Sequence, residues 1–163
     1  MPFRDNLQNK IDRRLRGMAK KYYNKTTLKS MKDVTFVGVH IRRTDHLEFM
    51  KKRYATEPLE EDYYNDGMEY FQEEYENCVF VVASDDIKWA KKKLDRENKH
   101  IYFSDQNPSF HVPPQFRFEV MDDDLSKAAY DFALLTSCNH TIISRGNVFC
   151  FWGFHFIMRP KCL

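Results

Sequence analysis

The sequence predicts an α/β protein built on a parallel sheet. Three observations point there. Short apolar runs rich in β-branched residues recur along the chain, at 34–41, 78–83, 101–103 and 141–143. Segments with apolar residues at helical spacing separate them, and a polar cluster directly follows each of several runs. Strands that alternate with helices run parallel, with the helices on the faces of the sheet.

The 163 residues suit one domain with a sizeable core, and 42 % hydrophobic with 15 % aromatic content argues against disorder. Lysine and arginine number 26 against 24 acids, so the net charge of +2 makes no general case for nucleic acid as a partner. The four cysteines, Cys78, Cys138, Cys150 and Cys162, have no metal-binding spacing; an even count permits disulfides without requiring them. Asn24-Lys25-Thr26 and Asn139-His140-Thr141 are glycosylation sequons that matter only in a secretory compartment, Asn24 being the better placed because Asn139 borders a buried strand. No apolar run reaches the length of a membrane span, and the amino terminus lacks the apolar centre of a signal peptide.

Taken in order, Phe3, Leu7, Ile11, Leu15, Met18 and Tyr22 form the apolar stripe of an amphipathic helix. Its other face holds Lys10, Arg13, Arg14, Arg16 and Lys20, which reads as a solvated face or, more sharply, as a surface for an anionic membrane or RNA. Residues 34–41 read as a buried strand, and 42–57 as polar and irregular. Pro58 is expected to open a helix reaching Tyr75, with Tyr64, Met68, Phe71 and Tyr75 in one stripe. A second strand at 78–83 leads through Ser84-Asp85-Asp86 into a helix from Ile87 to Glu97. A third short strand at 101–103 precedes a proline-bearing loop, 104–121, long enough to suggest a ligand or partner. Asp122-Asp123-Asp124 starts another helix, with Leu125, Ala128, Ala129, Phe132 and Leu135 expected on its apolar face and Asn139 at its end. The strand 141–143 then runs into Ser144-Arg145-Gly146-Asn147, and an aromatic helix is expected over 148–158.

In a parallel sheet the loops that follow the strands share one edge, where ligands bind. That edge gathers 40–45, 84–86 and 144–147. Alternation along a strand sends His40 and Arg42 one way and Arg43 the other. A guanidinium fork matches paired phosphate oxygens, although either arginine could instead pair with Asp45, Glu48 or another acid. Asp85 and Asp86 read first as helix-start acids, and as carboxylates that could accept from a guanine edge or a ribose hydroxyl. The acid triplet at 122–124 reads as a helix start, and no ligand pattern supports a metal site. Ser144 with the turn amides behind it would suit a phosphate. Neither a dinucleotide fingerprint nor a P-loop is present.

The segment His40-Ile41-Arg42-Arg43-Thr44-Asp45 resembles the HxRRxD motif of the α-1,2-fucosyltransferases. Residues 80–86 with Trp89 resemble the family's second motif, and 131–144 with Phe149 and Phe151-Trp152-Gly153 its third. Order and spacing agree over about residues 34 to 156. The resemblance implies a Rossmann-like lobe, the carboxyl-terminal, donor-binding half of a GT-B glycosyltransferase. The expected organisation is an amphipathic helix and linker over 1–33, then a GDP-fucose-binding lobe over 34–163. It implies inverting, metal-independent transfer of L-fucose from GDP-fucose, the donor substrate and not a cofactor, to the 2-hydroxyl of a terminal galactose on a glycan. It also implies a place on the lumenal side of the Golgi membrane, with membrane contact only through an anchor absent from this chain. Arg42 would hold the β-phosphate, His40 and Arg43 would support the nucleotide site, Asp85 or Asp86 would face the guanine or ribose, and Ser144 would lie near the phosphates. Arg42 and Asp45 are the candidate catalytic residues, Asp45 as base with Glu48 behind it. The alternative is a non-catalytic nucleotide- or glycan-binding module of the same fold.

Overall fold

The computed structural model describes residues 2–24, 31–55, 57–94, 97, 99–104 and 121–143. The loop expected over 104–121 falls, apart from its end residues, outside these, as do the 144–147 cluster and the aromatic helix over 148–158. Among the described residues four strands, β1 (Thr35–Ile41), β2 (Cys78–Ser84), β3 (Ile101–Phe103) and β4 (His140–Ile143), form one sheet in the order β3-β2-β1-β4, and every pairing among them is parallel. Five α-helices accompany them among the described residues: α1 (Pro2–Tyr23), α2 (Thr44–Tyr54), α3 (Glu61–Glu74), α4 (Ile87–Lys93) and α5 (Met121–Thr136). The expected α/β lobe with a parallel sheet is therefore present.

Alternation along the strands divides the core in two. Val37, Val39 and Ile41 of β1 and Phe80 and Val82 of β2 pack with Tyr64, Met68 and Phe71 of α3 and Ala90 of α4. On the opposite face, Val79 and Val81 of β2 meet Ile11, Leu15, Met18 and Tyr22 of α1 and Tyr130 and Leu134 of α5. Burying apolar area against both faces is what a parallel sheet requires, and β2 is buried along its whole length. Gly38 is the point of closest approach. A β-carbon there would come within 2.9 Å of Leu135 Cδ2 and 3.2 Å of Thr141 Cγ2, so glycine lets α5 settle on β1.

The order of the strands carries the functional consequence. The chain goes outward from β1 to β2 to β3 with α3 and α4 on one face, then returns by α5 on the other face to place β4 on the far side of β1. The reversal lies between β1 and β4, the position where a crevice opens at the carboxyl ends of strands in doubly wound sheets.

Four expectations change. Residues 44–54, read as irregular, are α2: its first turn is held by a carboxylate from the end of β2, a partner no local window contains. The helix expected from Pro58 starts at Glu61, because Leu59 offers its carbonyl to the Arg43 side chain and Glu60 is extended. The helix expected to reach Glu97 stops at Lys93, where Leu94 turns extended and is buried; Lys91, Lys92 and Lys93 sit favourably at its negative end. On α5 the buried set is Tyr130, Asp131, Leu134 and Leu135, so Phe132 is less central than expected; the side chains of Leu125 and Ala128 lie outside the described residues. Asn139 does end the α5 region. Its Oδ1 accepts from Phe36 N at 2.8 Å and its own N donates to Phe36 O at 2.9 Å, which ties the start of β4 to β1.

Candidate functional site

The site is built at the carboxyl ends of β1 and β2. His40 lies in register between Ala83 of β2 and Ile143 of β4, and Ile41 opposite Ser84. Arg42 and Arg43 leave the strand there, both half-buried, and α2 begins at Thr44. Five of the predicted residues, His40, Arg42, Arg43, Asp85 and Asp86, are thus gathered on one edge. Ser144 follows β4 directly in the chain and lies outside the described residues. Asp45 stands in the first turn of α2, and its side chain also lies outside them.

The two arginines are treated differently by the fold. Arg43 is taken up by its surroundings: its guanidinium lies 3.9 Å from the centroid of the Trp89 ring, donates from Nη1 to Leu59 O at 3.1 Å, and sits 3.6 Å from Glu60 Oε2. One side chain therefore fixes α4 and the entry to α3 against the end of β1. Arg42 leaves the other side of the strand end by alternation, and that strand end lies beside the sheet's reversal.

The two aspartates also divide. Asp85 accepts from Arg43 N at 2.8 Å through Oδ1, and from Thr44 N at 3.1 Å and Thr44 Oγ1 at 2.6 Å through Oδ2. A carboxylate from one loop thereby caps the helix of the next, satisfying amides that no intrahelical carbonyl reaches and facing the positive end of α2. Asp86 caps its own helix, accepting from Trp89 N at 3.0 Å, while its amide donates to Ser84 Oγ at 2.9 Å. Tyr63 of α3 donates to Ile143 O at 3.0 Å and so anchors the last residue of β4 at the same edge. Glu48, considered as a reserve base, is exposed and receives Lys52 Nζ at 2.8 Å; that hydrogen bond and charge hold its carboxyl below the usual range.

Sequence reasoning passed over one buried polar pair. Ser104 Oγ at the end of β3 donates to Asp131 Oδ1 of α5, and both residues are buried. Burial pushes the Asp131 carboxyl up to about 6, against the Ser104 hydrogen bond that lowers it. An acid standing at helical spacing among Tyr130, Leu134 and Leu135 was the available signal. Among the described residues no group of three or more His, Cys, Asp or Glu is arranged to hold a metal ion, and no helix is long and apolar enough to cross a membrane.

With this geometry in view, comparison with known proteins is decisive. The sequence model of glycosyl transferase family 11 matches residues 2–159. The chain belongs to glycosyl transferase family 11. Its relatives include galactoside alpha-(1,2)-fucosyltransferase 1 of Sus scrofa, 36 % identical over 119 residues, which are 73 % of this chain and 28 % of the relative. The enzyme of the same name from Homo sapiens is 35 % identical over the same shares of both chains, and that of Oryctolagus cuniculus 34 % identical over 73 % of this chain and 27 % of its own. The match thus spans little more than a quarter of those relatives' length. No solved structure matches the chain. Within the family frame, the β1 end carries the HxRRxD segment and the β2 end the Ser84-Asp85-Asp86 segment with Trp89.

Proposed function

We propose that this chain is the donor-binding lobe, residues 34–163 behind the helix of 1–33, of a GT-B enzyme. That enzyme transfers L-fucose from GDP-fucose to the 2-hydroxyl of a terminal galactose, with inversion and without a metal ion, on the lumenal side of the Golgi membrane. The relatives' name states the linkage and the galactoside. The observation that supports the reading most is the position of Arg42, at the end of the strand that lies between β2 and β4, beside the reversal of the sheet.

Breaking the bond between fucose and phosphate leaves negative charge on GDP. Arg42 donates to the β-phosphate, where a fixed guanidinium stabilises the developing charge more than the ground state. His40 lines the same side of the strand. Arg43 acts from behind, through the Trp89 stack and the Leu59 carbonyl that keep the strand end in place. Asp85 holds α2 in position, Asp86 takes the guanine or ribose contact, and Ser144 approaches the phosphates. Asp45, in the first turn of α2, removes the proton of the acceptor hydroxyl.

Calorimetry tests the reading. GDP is expected to bind the folded chain, and Arg42→Ala to weaken binding by about thirtyfold or more, as loss of one partner of a charged pair does. A folded chain that ignores GDP would sink the proposal. By itself the chain is expected to transfer little or no fucose; robust transfer to a galactoside would overturn its assignment to one lobe. GDP binding with no transfer by the full-length gene product would mark a non-catalytic module instead.

A further inference from the structure

Away from the strand ends, a cleft of about 410 Å³ opens between α1, β3 and α5. Its walls include Lys10, Arg13, Arg14 and Lys21 of α1, Tyr102 of β3 and Tyr130 of α5. None of these belongs to the edge formed by β1 and β2. The volume falls within the range of about 300–1,000 Å³ that small-molecule sites occupy.

Charge and shape both need explaining. Residues 10, 13, 14, 17 and 21 recur at helical spacing, so the four cations share one stripe of α1. Like charges at that spacing disfavour the helix. Gly17 sits within this stripe. Glycine inside a helix is unfavourable relative to alanine, and close packing does not require it here, because nothing lies within 4 Å of where its β-carbon would be. What the glycine does is leave the cleft open.

The walls are aromatic as well as basic. The Lys10 ammonium stands 4.9 Å from the centroid of the Tyr130 ring, and Arg14 Nη2 donates to Phe103 O at 3.4 Å. The Tyr102 phenol is an O–H donor at neutral pH, and burial only raises it further above its ordinary value. A solvated basic face would account for the charges alone. It does not account for a concave site with two tyrosines and a glycine opening.

We propose that this cleft is a second binding site, independent of the strand-end site, for a small ring-bearing oxyanion: a phosphate or sulfate ester of a sugar. The arginine forks and lysines take the ester oxygens, and Tyr102 meets the ring and its hydroxyls.

The test uses the whole chain carrying Arg42→Ala, so that an anion held at the strand end does not obscure the result. Glucose 6-phosphate and glucose 6-sulfate are titrated by calorimetry, with glucose as the uncharged control; the two esters separate a phosphate source from a sulfate source. At least one ester is expected to bind, more weakly as salt rises, and glucose not to bind. Arg13→Ala with Lys21→Ala, both at exposed positions, is expected to weaken the ester tenfold or more. Gly17→Leu, which fills the opening and leaves every cation in place, is expected to weaken it comparably. No binding of either ester, or unchanged affinity in the Arg13/Lys21 double variant, overturns the proposal. Unchanged affinity in Gly17→Leu also overturns it, because binding would then belong to a diffuse charged surface.

Discussion

At the scale of single residues, adjacent and chemically identical side chains hold different positions. Arg42 and Arg43 are neighbours on one strand end, and alternation sends the second into Trp89 and the Leu59 carbonyl. Arg43→Ala is expected to cost about 1–3 kcal/mol, from the lost cation–π contact and the unpaired carbonyl, read as a lower guanidinium midpoint. Arg43→Lys should recover little of it, since an ammonium neither stacks nor forks in the same way. Asp131 carries a pH dependence of its own. Its carboxyl rises from 3.8 to about 6 on burial, so between those values the folded chain binds more protons than the unfolded one. Its contribution therefore falls as pH climbs through that window and stays unfavourable above it. Asp131→Asn keeps an acceptor for Ser104 and is expected to raise stability at neutral pH by about 1–3 kcal/mol, with a smaller gain near pH 4. Urea unfolding at both pH values checks this; a larger gain at the acid end would refute it.

At the scale of elements, α2 shows how a helix can depend on a distant residue. Arg43 precedes it without capping it by side chain, and Asp85 from the end of β2 supplies the cap. β1 depends in the same way on what packs over it. Gly38→Ala would push a methyl group against the buried Leu135 and the β-branched Thr141, at 2.9 and 3.2 Å. Crowding of that kind costs about 1–3 kcal/mol, and the variant should melt earlier with its strand-end residues displaced. A melting temperature equal to that of the parent would mean that α5 moves aside freely. Both elements were half-legible. The apolar run of 34–41 announced a strand, while nothing in 42–57 announced α2, because its cap lies some forty residues on, in Asp85.

At the scale of the whole molecule, the two described thiols report on global opening. Cys78 donates to Phe71 O at 3.1 Å and Cys138 to Leu134 O at 3.4 Å, and burial pushes their thiols up to about 11 and about 12. Because the thiolate is the reactive form, neither should be alkylated by iodoacetamide at neutral pH in the folded chain at more than a small fraction of the unfolded rate. Each destabilising variant above should speed labelling by about tenfold for every ~1.4 kcal/mol of stability lost, provided opening is fast relative to alkylation. Rapid labelling of either thiol in the native chain would contradict this packing.

The sequence by itself determined the alternation of strands and helices, the stripes of α1 and α3, and the gathering of polar clusters after the strands. Those features rest on spacing, and spacing is local: a period of two or of 3.6 can be read from a window of a dozen residues. Only the tertiary structure decided which neighbours those strands take, and hence that β1 lies at the reversal with Arg42 at its end. It also decided that Asp85 serves α2, that Arg43 belongs to Trp89, and that the basic stripe of α1 borders a cleft. Each of those facts joins residues far apart in the chain, and no periodicity records which partner will arrive across the fold.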